Sequence, residues 1–178
     1  MLEIEGRDPS PYMNESGTIV AFLEGFAGPN QGPQLLPSGE SKRSDLGNFL
    51  KSDGRFKICQ RILTRPLVIK MTHLKDWAKE EDVKYAVNKY ESQGWLYSEA
   101  EKKNVEARKE MEKLLLELDS MLVSDEYASR KDGYTWDDVV LVPELRTLSC
   151  APGLKWPNRL KSYLTKALSR GGVSSYFP

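Results

Sequence analysis

Tyr134-Thr135-Trp136-Asp137-Asp138-Val139-Val140-Leu141-Val142-Pro143-Glu144-Leu145-Arg146-Thr147-Leu148 is a helix whose start is marked in its own residues. Thr135 and Asp138 have the spacing of a capping box, with Asp in the place more often held by Glu. The Thr135 hydroxyl can accept from the backbone N–H of Asp138, and the Asp138 carboxylate can reach back to the N–H of Thr135. The same carboxylate favours the positive end of the helix. Tyr134 and Val139 are placed as a hydrophobic staple across this turn. Behind it, Val139, Val140, Leu141, Val142, Leu145 and Leu148 make the helix apolar enough to be expected as a central, buried element. Pro152-Gly153 then breaks the chain. Trp156-Pro157 opens the next helix, with Pro157 suited to the first helical position. Leu160, Tyr163, Leu164 and Leu168 are its apolar residues, Gly171-Gly172 its stop, and Val173 to Pro178 is expected to be irregular.

Upstream of this pair, Ser98 to Leu122 is the clearest element. Val105, Met111, Leu114, Leu115, Leu118, Met121 and Leu122 form its apolar stripe, opposed by a solvated face of Glu, Lys and Arg. Ser124 to Gly133 reads as a polar loop. Between Lys75 and Tyr97, charged and apolar residues alternate over one or two shorter helices, with Trp77, Val83, Tyr85, Val87 and Tyr90 as inward candidates. Ser44-Asp45 can cap a helical stretch carrying Leu46, Phe49, Leu50, Phe56, Ile58, Cys59, Ile62 and Leu63. Gly54 weakens its middle, and Pro66 is expected to kink or end it. The count is five or six helices over residues 44–178.

The other end is different in kind. Leu2 and Ile4 alternate as in a half-buried strand, Gly6 to Pro11 is dense in turn formers, and Tyr12-Met13 begins a return strand. Thr18, Ile19, Val20, Phe22 and Leu23 then make a short helix that Gly25 can stop. Residues 1–25 thus read as hairpin and helix, too little to bury a core unaided. Residues 26–43, rich in Gly, Pro, Ser and Gln, read as a linker. Ser16 is placed as N-cap of the short helix, after Glu15. Its hydroxyl and the nearby N–H groups suit an anion, although a cap requires no ligand.

Composition narrows the function classes. The 178 residues are 39% hydrophobic and 29% charged, with 26 basic against 26 acidic side chains. Such a balance suits a soluble globular protein and provides no field to gather nucleic acid or anionic membrane. With no membrane-length apolar run and no signal peptide, an intracellular, cytoplasmic protein is expected. Cys59 and Cys150 stand far apart, without the clustering of a disulfide scaffold or zinc site, and read as small core residues. His73 is the sole histidine and reads as a surface residue. No metal ligand is assigned.

Asp137 to Leu148, followed by Gly153-Leu154-Lys155-Trp156-Pro157-Asn158-Arg159-Leu160, resembles the C-terminal signature of the glutaredoxin 2 family. Lys84-Tyr85-Ala86-Val87-Asn88-Lys89-Tyr90-Glu91 resembles a central helical segment of the same domain, and Leu63-Thr64-Arg65-Pro66 the bend in its long first helix. Tyr12-Met13-Asn14-Glu15-Ser16-Gly17-Thr18-Ile19-Val20 is similar to the family's Tyr-Met-x-Glu-Ser-x-x-Ile-Val stretch. The resemblance implies a mainly α protein. Its C-terminal helical domain, over 44–178, would be of glutathione-transferase type. A truncated thioredoxin-like piece, the hairpin plus helix of residues 1–25, would precede it. It also implies glutathione as ligand, with Glu15 and Ser16 at the helix start that grips the γ-glutamyl end.

The family's catalytic Cys-x-x-Cys has no counterpart here, and its Val-Pro would fall just before Met1. On this reading the chain starts after the first half of the thioredoxin-like domain. Neither Cys59 nor Cys150 matches a family position, so no catalytic residue is assigned. The expected function is that of a glutaredoxin 2-like protein, a glutathione-dependent thiol–disulfide oxidoreductase by family, inactive as this chain. Disulfide-containing proteins are the implied partners, and the strand around Leu2 to Glu5 would have one edge open to another chain. The alternatives are a glutathione transferase, or a non-catalytic helical interaction module.

Overall fold

The computed structural model describes residues 2–3, 12–13, 19, 22–23, 43–70 and 79–177. The chain divides into two compact units, Met1–Glu40 and Ser41–Pro178. In the first, β1 (Leu2–Glu3) pairs antiparallel with β2 (Tyr12–Met13), Leu2 opposite Met13 and Glu3 opposite Tyr12. Ile19, Phe22 and Leu23 are helical. His73 and Trp77 lie outside the described residues.

The second unit carries six helices among its described residues: α1 (Ser44–Phe49), α2 (Arg55–Val68), α3 (Glu80–Glu91), α4 (Tyr97–Met121), α5 (Trp136–Leu148) and α6 (Asn158–Arg170). Gly54 separates α1 from α2 in an extended N-cap conformation. Pro66 does not stop α2 at once; the helix runs two residues further, to Val68. The largest interface is α2 against α4, and α5 touches both α2 and α6, which returns to α4. Their shared core contains Met111, Leu115 and Leu118 of α4, Leu141, Leu145 and Leu148 of α5, and Leu160, Tyr163 and Leu164 of α6, all fully buried. Each buried leucine contributes roughly 2–3 kcal/mol of transfer free energy.

Helical period explains where the expected stripes hold and where they fail. On α4 the buried positions are Ala100, Ala107, Met111, Leu114, Leu115 and Leu118. Val105 is 63% exposed, because two residues before Ala107 places it about 200° round the helix. On α3 the inward residue is Ala86, and its neighbour Tyr85 turns out, 6.0 Å from the Lys89 ammonium. The expectation for α5 also needs correction: it is buried along one face only. Asp138, Leu141, Leu145 and Leu148 point inward, whereas Val139 and Val140 are exposed.

The helix ends are held by long-range contacts as much as by local ones. The last turn of α4 has no basic residue of its own. Instead Arg159, from the start of α6, donates to the carbonyls of Asp119 and Leu122, the latter at 2.7 Å. Arg43, the last residue of the expected linker, donates to the carbonyls of Met121 at 2.7 Å and Ala128 at 3.3 Å. These guanidinium groups meet the negative end of the helix dipole. Pro157 is the N-cap of α6 and not its first helical residue; its carbonyl accepts from Lys161 N–H at 2.9 Å. The 151–157 connection is laced to α4, with Arg108 donating to the Pro152 carbonyl and Glu112 accepting from Lys155 N–H. After Gly172, residues 173–177 have no regular structure, as expected, but they are pinned. Tyr176 N–H donates to Ser149 Oγ at 2.9 Å, and the Phe177 ring meets Trp156 edge-on at 5.0 Å. No helix among the described residues is long and apolar enough to cross a membrane.

Candidate functional site

The two residues expected to meet a ligand, Glu15 and Ser16, lie outside the described residues. The nearest described residues on either side are Tyr12–Met13, in β2, and the helical Ile19.

The thiols offer little nucleophilic character. Cys59 is packed in the core of the second unit, and Cys150 is partly buried in the turn after α5; both are free. Burial pushes the Cys59 thiol above its ordinary range, with the Glu110 carboxylate adding to it. Burial alone raises Cys150. Reactive cysteines are shifted in the opposite direction. Among the described residues no group of three His, Cys, Asp or Glu side chains could hold a metal ion.

The most connected polar group is Asp138, only 1% exposed. It forms the capping box with Thr135. Its Oδ2 accepts from the Thr135 N–H at 2.8 Å and the Thr135 hydroxyl at 2.9 Å. Its Oδ1 accepts from the Ala128 N–H at 2.7 Å and the Tyr163 hydroxyl at 2.9 Å. One carboxylate therefore starts α5, holds the preceding loop and receives the phenol of α6. Burial, then the Asp138 charge, push the Tyr163 phenol far above its usual ionisation range. The Tyr134 ring of the expected staple meets Tyr127 edge-on at 5.4 Å, with the Arg170 guanidinium 5.7 Å away. A second polar node joins α2 to α5: Gln60 donates to the backbone and side-chain oxygens of Glu144, each at 2.9 Å, and Lys57 pairs with the same carboxylate. These nodes are structural clamps.

One cleft was not anticipated from the sequence. Ile58, Arg61 and Ile62 of α2 face Ala100 and Lys103 of α4 across it, and the turn at Trp95 and Leu96 closes one end. Beside it the Arg65 guanidinium lies over the Tyr90 ring at 4.1 Å and the Trp95 ring at 5.0 Å. Arg61 and Arg65, four apart on a helix, hinted at a shared face. Nothing in the sequence showed that Trp95 and Lys103 would join them.

The fold is that of the glutathione-transferase-like glutaredoxins, a helical domain following a small piece with two strands. A family model described as glutaredoxin 2, C terminal domain, matches residues 55–177. That match spans more than half of the chain, and the chain belongs to the glutaredoxin 2 family. Among solved structures, the 1.2 Å crystal structure of glutaredoxin 2 from Salmonella typhimurium in complex with glutathione is similar, with a TM-score of 0.75. The two share 19% identity over 96% of this chain and 72% of that one, a likeness of fold. A comparison with curated protein sequences finds no match.

Proposed function

We propose that this protein serves glutathione-dependent thiol–disulfide exchange. The observation carrying this reading is the family match over residues 55–177. Glutathione is the ligand assigned, as it is the ligand in the Salmonella typhimurium structure. Glu15 and Ser16 are its candidate contacts, where a hydroxyl and the N–H groups of a helix start would take the γ-glutamyl carboxylate. Residues 1–25 are thus read as part of the glutathione-binding domain, 26–43 as linker and 44–178 as the helical domain. Disulfide-containing proteins are the partners, and the edge of β1 away from β2 offers a contact for a second chain.

The nucleophile is a separate question. Attack on a mixed disulfide needs a thiolate, and both thiols of this chain are shifted against forming one. The 178-residue polypeptide is therefore expected to turn over no mixed disulfide. A non-catalytic helical binding module is the second reading, and the raised thiols support it. Two measurements test these assignments. Calorimetric titration with glutathione is expected to give weak binding. Ser16→Ala should weaken it about tenfold, the loss of a hydrogen bond of about 1.4 kcal/mol. Unchanged affinity in Ser16→Ala would remove the assigned contact. Turnover in a glutathione-coupled disulfide assay, persisting after contaminating enzyme is removed, would defeat the non-catalytic reading.

A further inference from the structure

We propose that the cleft between α2 and the first turns of α4 binds a small organic anion with a flat apolar body. Arg61 and Lys103 hold its charge, and Ile58, Ile62 and Trp95 receive its body.

Size and lining point to a small molecule. The cleft is half open to solvent and offers about 330 Å³, at the small end of ligand pockets of roughly 300–1,000 Å³. Two of its apolar residues are left open by the protein: Ile58 is 48% and Leu96 49% exposed. The walls are also set in advance. Gly94 has a φ of +80°, and the N–H groups of Gly94 and Trp95 donate to the carbonyls of Glu91 and Tyr90. That closing motif of α3 places Trp95 against the cleft. Tyr97 meets the Trp95 ring edge-on at 4.7 Å, with an interplanar angle of 89°. A preformed apolar wall lowers the ordering cost of binding.

Charge selects the ligand. Among the described residues several basic side chains near α2 and α4 have carboxylate partners, including Arg55 with Glu110, Lys57 with Glu144, Lys70 with Glu101 and Lys102 with Glu99. Among the described residues Arg61 and Lys103 form no such close pair, although Lys103 lies near enough to Glu99 to feel its charge. Arg61 also stands one turn from Arg65, which lies over the Tyr90 and Trp95 rings, and the two cations disfavour each other. Glu99 is the acidic residue on the rim, but Lys102 holds it at 2.7 Å. With Arg61 and Lys103 on its walls and Glu99 already held by Lys102, the cleft carries a net positive charge beside apolar surface. An anion there relieves repulsion already present in the fold. A cation or a polar neutral molecule gains nothing comparable.

The inference goes beyond the glutathione reading and does not depend on it, since every lining residue belongs to the helical unit. The test is a fluorescence titration of the full chain with anilinonaphthalene sulfonate, an anion on a flat aromatic body. Saturable one-to-one binding is expected. The double variant Arg61→Gln, Lys103→Gln should weaken it about tenfold, while Arg61→Lys keeps most of the affinity. Ile58→Glu, which places a carboxylate at a half-exposed position, should abolish binding, with helical circular dichroism unchanged in each variant. The uncharged analogue N-phenylnaphthylamine should bind about tenfold more weakly, and Ser16→Ala should leave the sulfonate's affinity as it is. Wild-type affinity in the double variant, equal affinity for the uncharged analogue, or loss of binding in Ser16→Ala would overturn the proposal.

Discussion

Asp138 shows how much one residue can coordinate. Four donors converge on its carboxylate, from Thr135 twice, from Ala128 and from Tyr163. Removing it strands several of them in a dry interior. Asp138→Ala is expected to lower unfolding free energy by about 3 kcal/mol or more, and Tyr163→Phe by about 1–2 kcal/mol. Urea titrations of the two variants check the order; near-equal losses would refute the convergence. The phenol adds a pH signature. Its ionisation in the folded state lies well above the ordinary 10.0. Unfolded Tyr163 therefore releases its proton from about pH 10 upward while the folded one retains it. The stabilisation is complete below that pH and declines as pH rises past it. Wild-type stability should fall more steeply above pH 10 than that of Tyr163→Phe.

At the scale of the element, helix ends matter more than helix middles. The chain leaves α6 through Gly172, whose φ is +64°. Gly172 N–H donates to the Ser169 carbonyl and Val173 N–H to that of Leu168. A Cβ at Gly172 would meet no atom within 4 Å, so a substitution there feels only backbone strain. Gly172→Ala is expected to cost about 1 kcal/mol in thermal or urea unfolding. No loss would mean that the left-handed turn is not required. This stop was legible as Gly171-Gly172, because a closing glycine acts within five residues of its helix. The arginine caps on α4 were not legible. Arg43 and Arg159 reach Met121 and Asp119 from far along the chain, and no local pattern encodes such a meeting.

For the whole molecule, the buried cluster of α2, α4, α5 and α6 lies entirely within Ser41–Pro178. A fragment of those residues is expected to fold alone, with helical circular dichroism and a single cooperative urea transition. A broad, gradual transition would show that the helical unit needs the first forty residues. The order of helices, the box at Thr135 and Asp138, the stripe through Met111, Leu114, Leu115 and Leu118, and membership of the glutaredoxin 2 family were all readable beforehand. Each depends on residues a few positions apart or on a contiguous signature. Tertiary structure alone decided that Tyr163 and Ala128 would complete the Asp138 node, and that Arg61, Trp95 and Lys103 would share a cleft. Those outcomes depend on the angle at which one helix meets another, which is set by packing summed over the entire core and by no single segment.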